Sequence, residues 1–316
     1  MSKSKLSVVV TVYNEGGHLS DFLIELYKTV KTVEKQFEIV IVDDGSDDGT
    51  YELARAFVNT NSKFKLVKLS RNFGKENALY AGIKFSDGDA ILTIDSDGQH
   101  PMELIQQFYD LYKDGAQVVV GVRESSHTGL VKNSFRKLFY KTFNAFSQQK
   151  MNPDGTDFRL ISGQVKDEFL KLQENDRISR GLIDWLGFNR EIVYFTPNPR
   201  LSGEPKYSFT KVSKLATNGL VSMSPVPLYA IGVLGLIITS FALILGLAVF
   251  IEQLVLHDPY DWNFTGTAML GILILFLVGL ILVSQGILSL YVSHIHSQTK
   301  QRPLYIIDEQ NSIGIE

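Results

Sequence analysis

Short apolar, β-branched segments alternate with helical patterns through residues 1–120, and this alternation limits the possible folds more than any other feature. The segments that read as strands are LSVVVTVY (6–13), FEIVIVDD (37–44), FKLVKLS (64–70), AILTIDSD (90–97) and AQVVVGV (116–122). Apolar runs this continuous suit parallel strands buried on both faces of a sheet. We therefore predict an α/β fold with a doubly wound, mostly parallel sheet, in which ligands gather at the carboxyl ends of the strands.

Composition excludes several kinds of chemistry. The 316 residues include no cysteine, so disulfides, thiolate metal sites and cysteine nucleophiles are all excluded. The formal net charge of -3 argues against a general nucleic-acid-binding protein. The apolar run in MSKSKLSVVVTVYNE is too short for a signal peptide and leads directly into a polar turn, so we expect a strand there.

Two long apolar runs lie in the last third of the chain. Residues 226–251 and 268–292 are 26 and 25 residues long, and neither run contains a charged residue. Each exceeds the ~20 residues needed to cross the hydrocarbon core of a bilayer, so we predict a two-helix transmembrane hairpin. Lysines and arginines flank the hairpin, whereas the loop between the two runs has neither; they are Lys206, Lys211, Lys214, Lys300 and Arg302. The positive-inside rule then predicts a multi-pass cell-membrane protein with both chain ends in the cytosol.

These patterns divide the chain into four predicted parts. Residues 1–207 are predicted to form a cytosolic α/β domain and residues 208–225 an interfacial helix. The hairpin then occupies residues 226–292, and residues 293–316 form a cytosolic tail whose last part we expect to be loose. An amphipathic helix with a basic margin, residues 134–148, is predicted either to face the domain core or to lie on the membrane surface.

Polar residues follow successive predicted strands at the points where the strands end. The motifs are TVYNE (11–15), VDDGSDDGT (42–50), SRNFGKENAL (70–79) and DSDGQ (95–99). Because the carboxyl ends of parallel strands meet at one edge of a sheet, we expect these side chains to line one crevice, the expected position of a nucleotide. Neither of the two common phosphate-loop glycine patterns is present, so a bound diphosphate would need another source of positive charge.

The pair Asp95 and Asp97 comes directly after a predicted buried strand. Two carboxylates this close repel each other unless a cation lies between them or they serve a reaction. Carboxylate and amide oxygens suit Mg2+ or Mn2+, and substrate phosphates would complete the coordination shell. We therefore predict a divalent cation at this position, with a solvated acidic turn as the alternative.

The motifs VTVYNE, VDDGSDDGT, RNFGKENAL and DSDGQHP, in this order and spacing, resemble the nucleotide-sugar domain of glycosyltransferase family 2, which has the GT-A fold. More narrowly, the chain is similar to the polyprenyl-phosphate branch, which includes dolichyl-phosphate mannose synthase and the bacterial undecaprenyl-phosphate glucosyl and N-acetylglucosaminyl transferases. The apolar hairpin matches this branch too. Further matching stretches are TDFRL (156–160), RGLIDWLGF (180–188), RLSGEPKYS (200–208) and RPLYII (302–307).

The resemblance implies roles for particular residues. Asp44 would bind the nucleobase or ribose, and the implied nucleotide-sugar ligands as a whole are Glu15, Asp44, Arg71, Asp95, Lys206 and Tyr207. The implied metal and diphosphate ligands are Asp95, Asp97 and Gln99. The implied catalytic residues are Asp97, Asp157 near the acceptor, and Arg200 in a segment that closes over the phosphates. The implied ligands of the lipid phosphate are Arg123 and Arg136.

The implied activity is transfer of a single sugar from UDP-glucose or UDP-N-acetylglucosamine to polyprenyl (undecaprenyl) phosphate, with Mg2+ or Mn2+ and inversion of configuration. The implied partners are donor, lipid acceptor, a bacterial cell membrane and other copies of the chain in a homotetramer, but no nucleic acid. A processive polysaccharide synthase is one alternative, although the chain lacks a Q-x-x-R-W motif and two helices are few for a polymer channel. A catalytically silent membrane scaffold or sugar sensor is another, and the acidic motif together with Asp157 and Arg200 speaks against it.

Elementary chemistry bears on the role of Asp157. A lipid phosphate, with a second pKa of about 6, is already largely dianionic near neutral pH and hardly needs a general base. We therefore expect Asp157 to orient the acceptor, tune its last proton or stabilise positive charge that develops on the sugar. The alternative is a structural salt bridge to Arg159 or another arginine.

Overall fold

A computed structural model describes residues 4–124, 155–172, 174, 177–199, 266–300 and 302–315, together with residues 233, 237, 240 and 244. The chain divides into two compact units. The larger comprises Met1–Asn144, Gln149–Ser208 and Arg302–Glu316, and the smaller comprises Ala145–Gln148 and Phe209–Gln301. The predicted helices at residues 134–148 and 208–225 lie outside the described residues. One chain is described, so the homotetramer stays a prediction.

The described part of the larger unit alternates strands and helices, as the sequence predicts for its first half. The strands are β1 (Leu6–Val12), β2 (Phe37–Asp43), β3 (Phe64–Lys68), β4 (Ala90–Asp95), β5 (Val118–Arg123), β6 (Gly155–Ser162) and β7 (Arg190–Phe195). The helices are α1 (Leu19–Val33), α2 (Thr50–Thr60), α3 (Lys75–Lys84), α4 (Leu104–Lys113), α5 (Gly163–Lys171) and α6 (Ser179–Trp185). A 3-10 turn follows at Glu309–Asn311, and α7 (Gly266–Thr299) belongs to the smaller unit.

The seven described strands form one sheet in the order β3-β2-β1-β4-β6-β5-β7. β1 pairs in parallel with β2 and β4, β2 with β3, and β5 with β7. β6 runs antiparallel between β4 and β5. The predicted mostly parallel α/β sheet is therefore confirmed, but β6 and β7 were not among the predicted strands.

Apolar side chains cover both faces of the sheet. One layer joins the sheet to α1, α2 and α4, and the other joins it to α3, α5 and α6. Every residue of β2 is buried, as its continuous apolar run predicts. α3 lies very close to the sheet, because a Cβ added to Gly82 would come within 2.3 Å of the Val9 side chain. This close packing holds α3 against β1 and β2.

The predicted transmembrane hairpin is not supported. Most of residues 226–251 lies outside the described residues, and residues 268–292 fall within α7, where only some side chains are described. Crossing a bilayer needs about 20 consecutive apolar residues in one helix. Over the residues that the structure describes, no helix has both the length and the apolarity for such a crossing. On this finding the predicted multi-pass location in the cell membrane is wrong.

The end of the chain is not loose, contrary to expectation. The C-terminal tail (residues 302–315) lies along β3, with antiparallel bridges from Leu66 to Ile313 and from Leu69 to Ile307. β3 lies at one edge of the sheet. An edge strand without a partner exposes a row of unpaired backbone groups. The tail fills this position, which a sequence with no strand pattern at its end does not reveal.

Candidate functional site

The candidate site lies at the carboxyl ends of β1, β2 and β4. In the strand register, Val12 pairs with Asp43 and Thr11 pairs with Asp95. The loops that follow these strands therefore begin at one level along the sheet. The register brings the polar motifs to a single edge, which is where α/β sheets bind ligands.

The loops after β1 and β2 are tied to each other. Asn14 has a positive φ of 55°, and its side-chain amide exchanges two hydrogen bonds with Asp47, at 2.8 and 3.1 Å. The Asn14 N–H donates to Ser46 Oγ at 3.0 Å, and the Glu15 N–H donates to Thr50 Oγ1 at 2.9 Å. These bonds fix the backbone next to Glu15, one of the predicted nucleotide ligands.

The Glu15 side chain also connects the first loop to the end of β4. Its carboxylate lies 3.1 Å from His18 Nε2, and the same ring nitrogen lies 3.0 Å from the carbonyl oxygen of Ser96. Ser96 stands between the two aspartates of the acidic motif. Glu15 is therefore placed beside that motif at the carboxyl edge of the sheet.

Asp44 organises the loop that follows β3. Its side chain is almost fully buried, and its two carboxylate oxygens accept hydrogen bonds from the N–H groups of Phe73 (2.7 Å) and Gly74 (2.9 Å). Burial raises the pKa of Asp44 above its usual range, although these two N–H groups act in the opposite direction. The Arg71 guanidinium lies 4.1 Å from the Phe73 ring centre in the same loop. We call residues 71–74, which this carboxylate holds, the Asp44 loop.

Gly45 is required for the close approach of the Asp44 loop. Its φ is +72°, and an added Cβ would lie 2.5 Å from the carbonyl carbon of Arg71. We expect Gly45→Ala to destabilise the protein by about 1–3 kcal/mol beyond the φ strain alone, because backbone cannot move aside as a side chain can. Gly49→Ala is the matched control, because Gly49 has a φ of +89° but no atom within 4 Å of its added Cβ. Denaturant unfolding of both variants measures the difference, and equal midpoints would contradict the crowding argument.

Lys75 joins the acidic motif to Asp157. Its Nζ lies 2.7 Å from Asp95 Oδ1 and 2.8 Å from Asp157 Oδ2. The antiparallel pairing of β6 with β4, in which Thr93 faces Arg159, places Asp157 opposite the end of β4. Burial would raise the pKa of Asp157, but Lys75, together with the charges of Arg180 and Arg159, lowers that pKa to about 2. The two carboxylates conversely hold the pKa of Lys75 above its usual range, against the effect of burial.

Lys75 was not among the predicted site residues. Its motif, SRNFGKENAL, was placed at the crevice, but nothing in the sequence shows that the first residue of α3 reaches past β1 to β4 and β6. The neighbouring Glu76 was also missed. Its carboxylate accepts a hydrogen bond from the Ser179 N–H at 2.8 Å, and burial together with the Asp157 charge raises its pKa.

Arg159, one arginine that could have formed a structural salt bridge with Asp157, makes its described hydrogen bonds elsewhere, although its charge and that of Arg180 both help to lower the Asp157 pKa. Arg159 is buried and donates to Asp184 Oδ1 at 2.8 Å and to the Thr156 carbonyl at 3.0 Å. The described hydrogen bond of the Asp157 carboxylate is with Lys75 instead. Arg159 therefore stabilises the contact between β6 and α6, while Asp157 faces the crevice residues.

The turn after β4 holds the remaining predicted metal ligands. Asp97 Oδ1 accepts from the Gln99 N–H at 3.1 Å, and Gln99 Oε1 accepts from Arg123 Nη2 at 3.3 Å. Nε of Arg123 is buried and has no hydrogen-bond partner among the described residues. The Arg123 guanidinium, beside the acidic motif, therefore has an N–H group that can still donate a hydrogen bond.

The donor set fits a cation that is shared with a substrate. No group of three His, Cys, Asp or Glu side chains within the described residues is arranged to hold a metal ion. Two carboxylates, Asp95 and Asp97, nevertheless lie on one short turn, and Mg2+ commonly binds one or two carboxylates plus substrate phosphates. The residues present therefore suit a divalent cation that arrives with a diphosphate.

Several predicted site residues lie outside the described part of the chain. They are Arg136, Arg200, Lys206 and Tyr207. The roles of these residues, like those of the predicted ligands that the structure does place, remain predictions.

The fold and the crevice define the class of the protein. An open, mostly parallel α/β sheet with a carboxylate-rich crevice at its carboxyl edge is typical of enzymes that bind nucleotides or their derivatives. Comparison with known proteins narrows the class, since the family model for glycosyl transferase family 2 matches residues 7–165. The chain belongs to glycosyltransferase family 2 and is a transferase.

Curated relatives match over almost the full chain. An uncharacterized glycosyltransferase of Synechocystis is 34% identical over 306 residues, which is 96% of this chain and 95% of the relative. The bactoprenol glucosyl transferase of Shigella phage SfX is 33% identical, covering 96% of this chain and 98% of its own. Among solved structures, mannosyl-3-phosphoglycerate synthase from Rubrobacter xylanophilus is 15% identical with a TM-score of 0.47, over 68% of this chain and 71% of its own.

Proposed function

We propose that this enzyme transfers one glucose from UDP-glucose to a polyprenyl phosphate, with UDP-N-acetylglucosamine as the alternative donor. The observation that carries the proposal is the Asp95–Lys75–Asp157 network, which places an ionised carboxylate beside the acidic motif at the ligand-binding edge. The bactoprenol glucosyl transferases that match nearly the whole chain supply the chemistry of sugar and acceptor. An acceptor phosphate oxygen that attacks the anomeric carbon in one displacement would invert its configuration.

A divalent cation, Mg2+ or Mn2+, would be held by Asp95 and Asp97, with Gln99 as a third ligand. When bound, it would stabilise the negative charge on the departing nucleoside diphosphate. Asp97 and Gln99 already share one turn, because the Gln99 N–H donates to the Asp97 carboxylate. Asp95, Asp97 and Gln99 fill only part of the coordination shell of Mg2+ or Mn2+, so we expect metal binding to depend on the presence of the nucleotide.

Asp157 would act on the acceptor as a fixed negative charge. A carboxylate with a pKa of about 2 is a weak base, and a lipid phosphate needs little help to lose its last proton. Asp157 would instead orient the acceptor and stabilise positive charge that develops on the sugar in the transition state. Arg123, with a buried Nε that lacks a partner among the described residues, is suited to bind the acceptor phosphate.

A transfer assay tests the proposal. The purified full chain is incubated with radiolabelled UDP-glucose, UDP-N-acetylglucosamine or GDP-mannose, and with either polyprenyl phosphate or the matched polyprenol. We expect one of the UDP-sugars to give a lipid-linked monosaccharide with polyprenyl phosphate. Polyprenol should give no product, because the phosphate oxygen is the nucleophile. Chelator should stop the reaction.

Other products would decide against the proposal. Label that appears in a polymer would favour a processive synthase, and label that appears in no product with any donor would favour a silent scaffold. Full activity with excess chelator would remove the metal from the mechanism and leave the transfer itself intact.

A further inference from the structure

The C-terminal tail satisfies the outer backbone groups of β3. Leu66 donates its N–H to the Ile313 carbonyl at 3.0 Å and accepts from the Ile313 N–H at 2.8 Å. The Lys68 carbonyl accepts from the Asp308 N–H at 2.8 Å, and the Lys68 N–H donates to Ser312 Oγ at 2.9 Å. The tail therefore takes the place of a further strand, although its pairing is irregular.

The hydrogen bonds between the tail and the β3 segment continue to Ser70, the residue directly before the Asp44 loop. The Ser70 N–H donates to the Ile306 carbonyl at 2.9 Å, and the next residue along the chain begins the loop. On its inner side this segment is held by the Leu69 N–H, which donates to the Asp43 carbonyl at 2.9 Å. The loop thus starts from a backbone that is bonded on both sides, by β2 and by the tail.

The tail also contacts the helix that follows the Asp44 loop. The rings of Tyr305 and Tyr80 lie 6.2 Å apart, and Tyr80 belongs to α3. Lys75, at the start of α3, bonds to Asp95 and Asp157. Contacts from one segment therefore reach Ser70, directly before the Asp44 loop, and Tyr80, within the helix that follows the loop.

We propose that the C-terminal tail is a positioning element for donor binding: it fixes the Asp44 loop, which lies between Ser70 and α3, by completing the edge of β3. An edge strand of five residues with no outer partner would open easily, and the loop after it would open with it. The donor is taken to be a nucleoside diphosphate sugar, and in this respect the inference rests on the proposed function. The contacts of the tail with β3 and Ser70 do not depend on the proposed function.

A proline substitution in the full-length chain tests the tail directly. Asp308→Pro removes the N–H that bonds to Lys68, and the Asp308 φ of -86° has the sign that proline requires and differs by about 20° from the angle it favours. Asp308→Ala is the matched control, because it keeps that N–H and loses only the carboxylate, which accepts from Asn311 Nδ2 at 2.8 Å. Hydrogen exchange of the Phe73 and Gly74 amides is the first measurement, and the dissociation constant for UDP by calorimetry is the second.

We expect amide exchange in the Asp44 loop to be about tenfold faster in Asp308→Pro than in Asp308→Ala, with β1 amides unchanged. The dissociation constant for UDP should rise by about tenfold in the same comparison. Equal exchange in the two variants would overturn the proposal, and so would faster exchange spread over β1 and β4, which indicates general destabilisation. Faster loop exchange with unchanged UDP affinity would overturn the role in donor binding. If the unmodified enzyme binds no nucleoside diphosphate, the proposed function fails, while the exchange result still decides whether the tail holds the loop.

Discussion

Substitution of Asp157 by asparagine is expected to lower kcat for sugar transfer by about 10²–10³-fold, the usual effect of removing one preorganised electrostatic group from an active site. The amide has the shape of the carboxylate but carries no charge. It can no longer stabilise positive charge on the sugar, and it weakens the bond that joins Asp157 to Lys75 at 2.8 Å. Steady-state kinetics with varied donor and varied acceptor measure the loss, and circular dichroism checks the fold.

The control for this variant is another half-buried carboxylate that pairs with a different cation. Asp184 accepts from Arg159 at 2.8 Å, and we assign it no part in the crevice. Asp184→Asn is expected to lower the melting temperature, because Arg159 is left without its charged partner, but to leave kcat of the folded enzyme nearly unchanged. An Asp157→Asn enzyme that retains half of its activity would contradict the proposed role of Asp157.

Substitution of Lys75 by methionine is expected to lower kcat of the folded enzyme by about 100-fold and also to destabilise the fold. Lys75 sets the positions of both Asp95 and Asp157, and displacement of catalytic groups by about 1 Å can reduce a rate by this factor. Lys75→Met leaves Asp95 and Asp157, whose side chains are 21% and 19% exposed, without the cation between them, so a lower free energy of unfolding is expected as well. The measurements are kcat, KM for the donor and the free energy of unfolding.

Two further variants separate the charge of Lys75 from its position. Lys75→Arg keeps the charge but changes its geometry, so partial recovery of kcat is expected. Lys113→Met is the matched control, because Lys113 is 46% exposed and pairs with Asp110 on the surface of α4. A Lys75→Met enzyme as active as Lys113→Met would show that the bridge between the two carboxylates is not needed for transfer.

Patterns local to the sequence were sufficient for the parallel part of the fold. The five predicted strands correspond to β1–β5, because continuous apolar runs between helical segments suit a sheet that is covered on both faces. The same patterns placed Asp95 and Asp97 at the end of a buried strand, and the register of β1 with β4 puts that end beside the loop that contains Glu15. The prediction of a membrane hairpin rested on apolar length alone, and no helix in the described part of the chain bears it out.

The sequence by itself determined the alternation of strands and helices, the edge of the sheet where a ligand is expected to bind, and the family motifs. Each of these depends on residues close together in the chain. Only the tertiary structure decided which groups pair there. Lys75 and Asp157 are 82 positions apart and meet because an antiparallel strand lies next to β4. The tail and β3 are more than 200 residues apart and meet because an edge strand needs a partner. Such pairings follow from strand order and direction, which local periodicity does not encode.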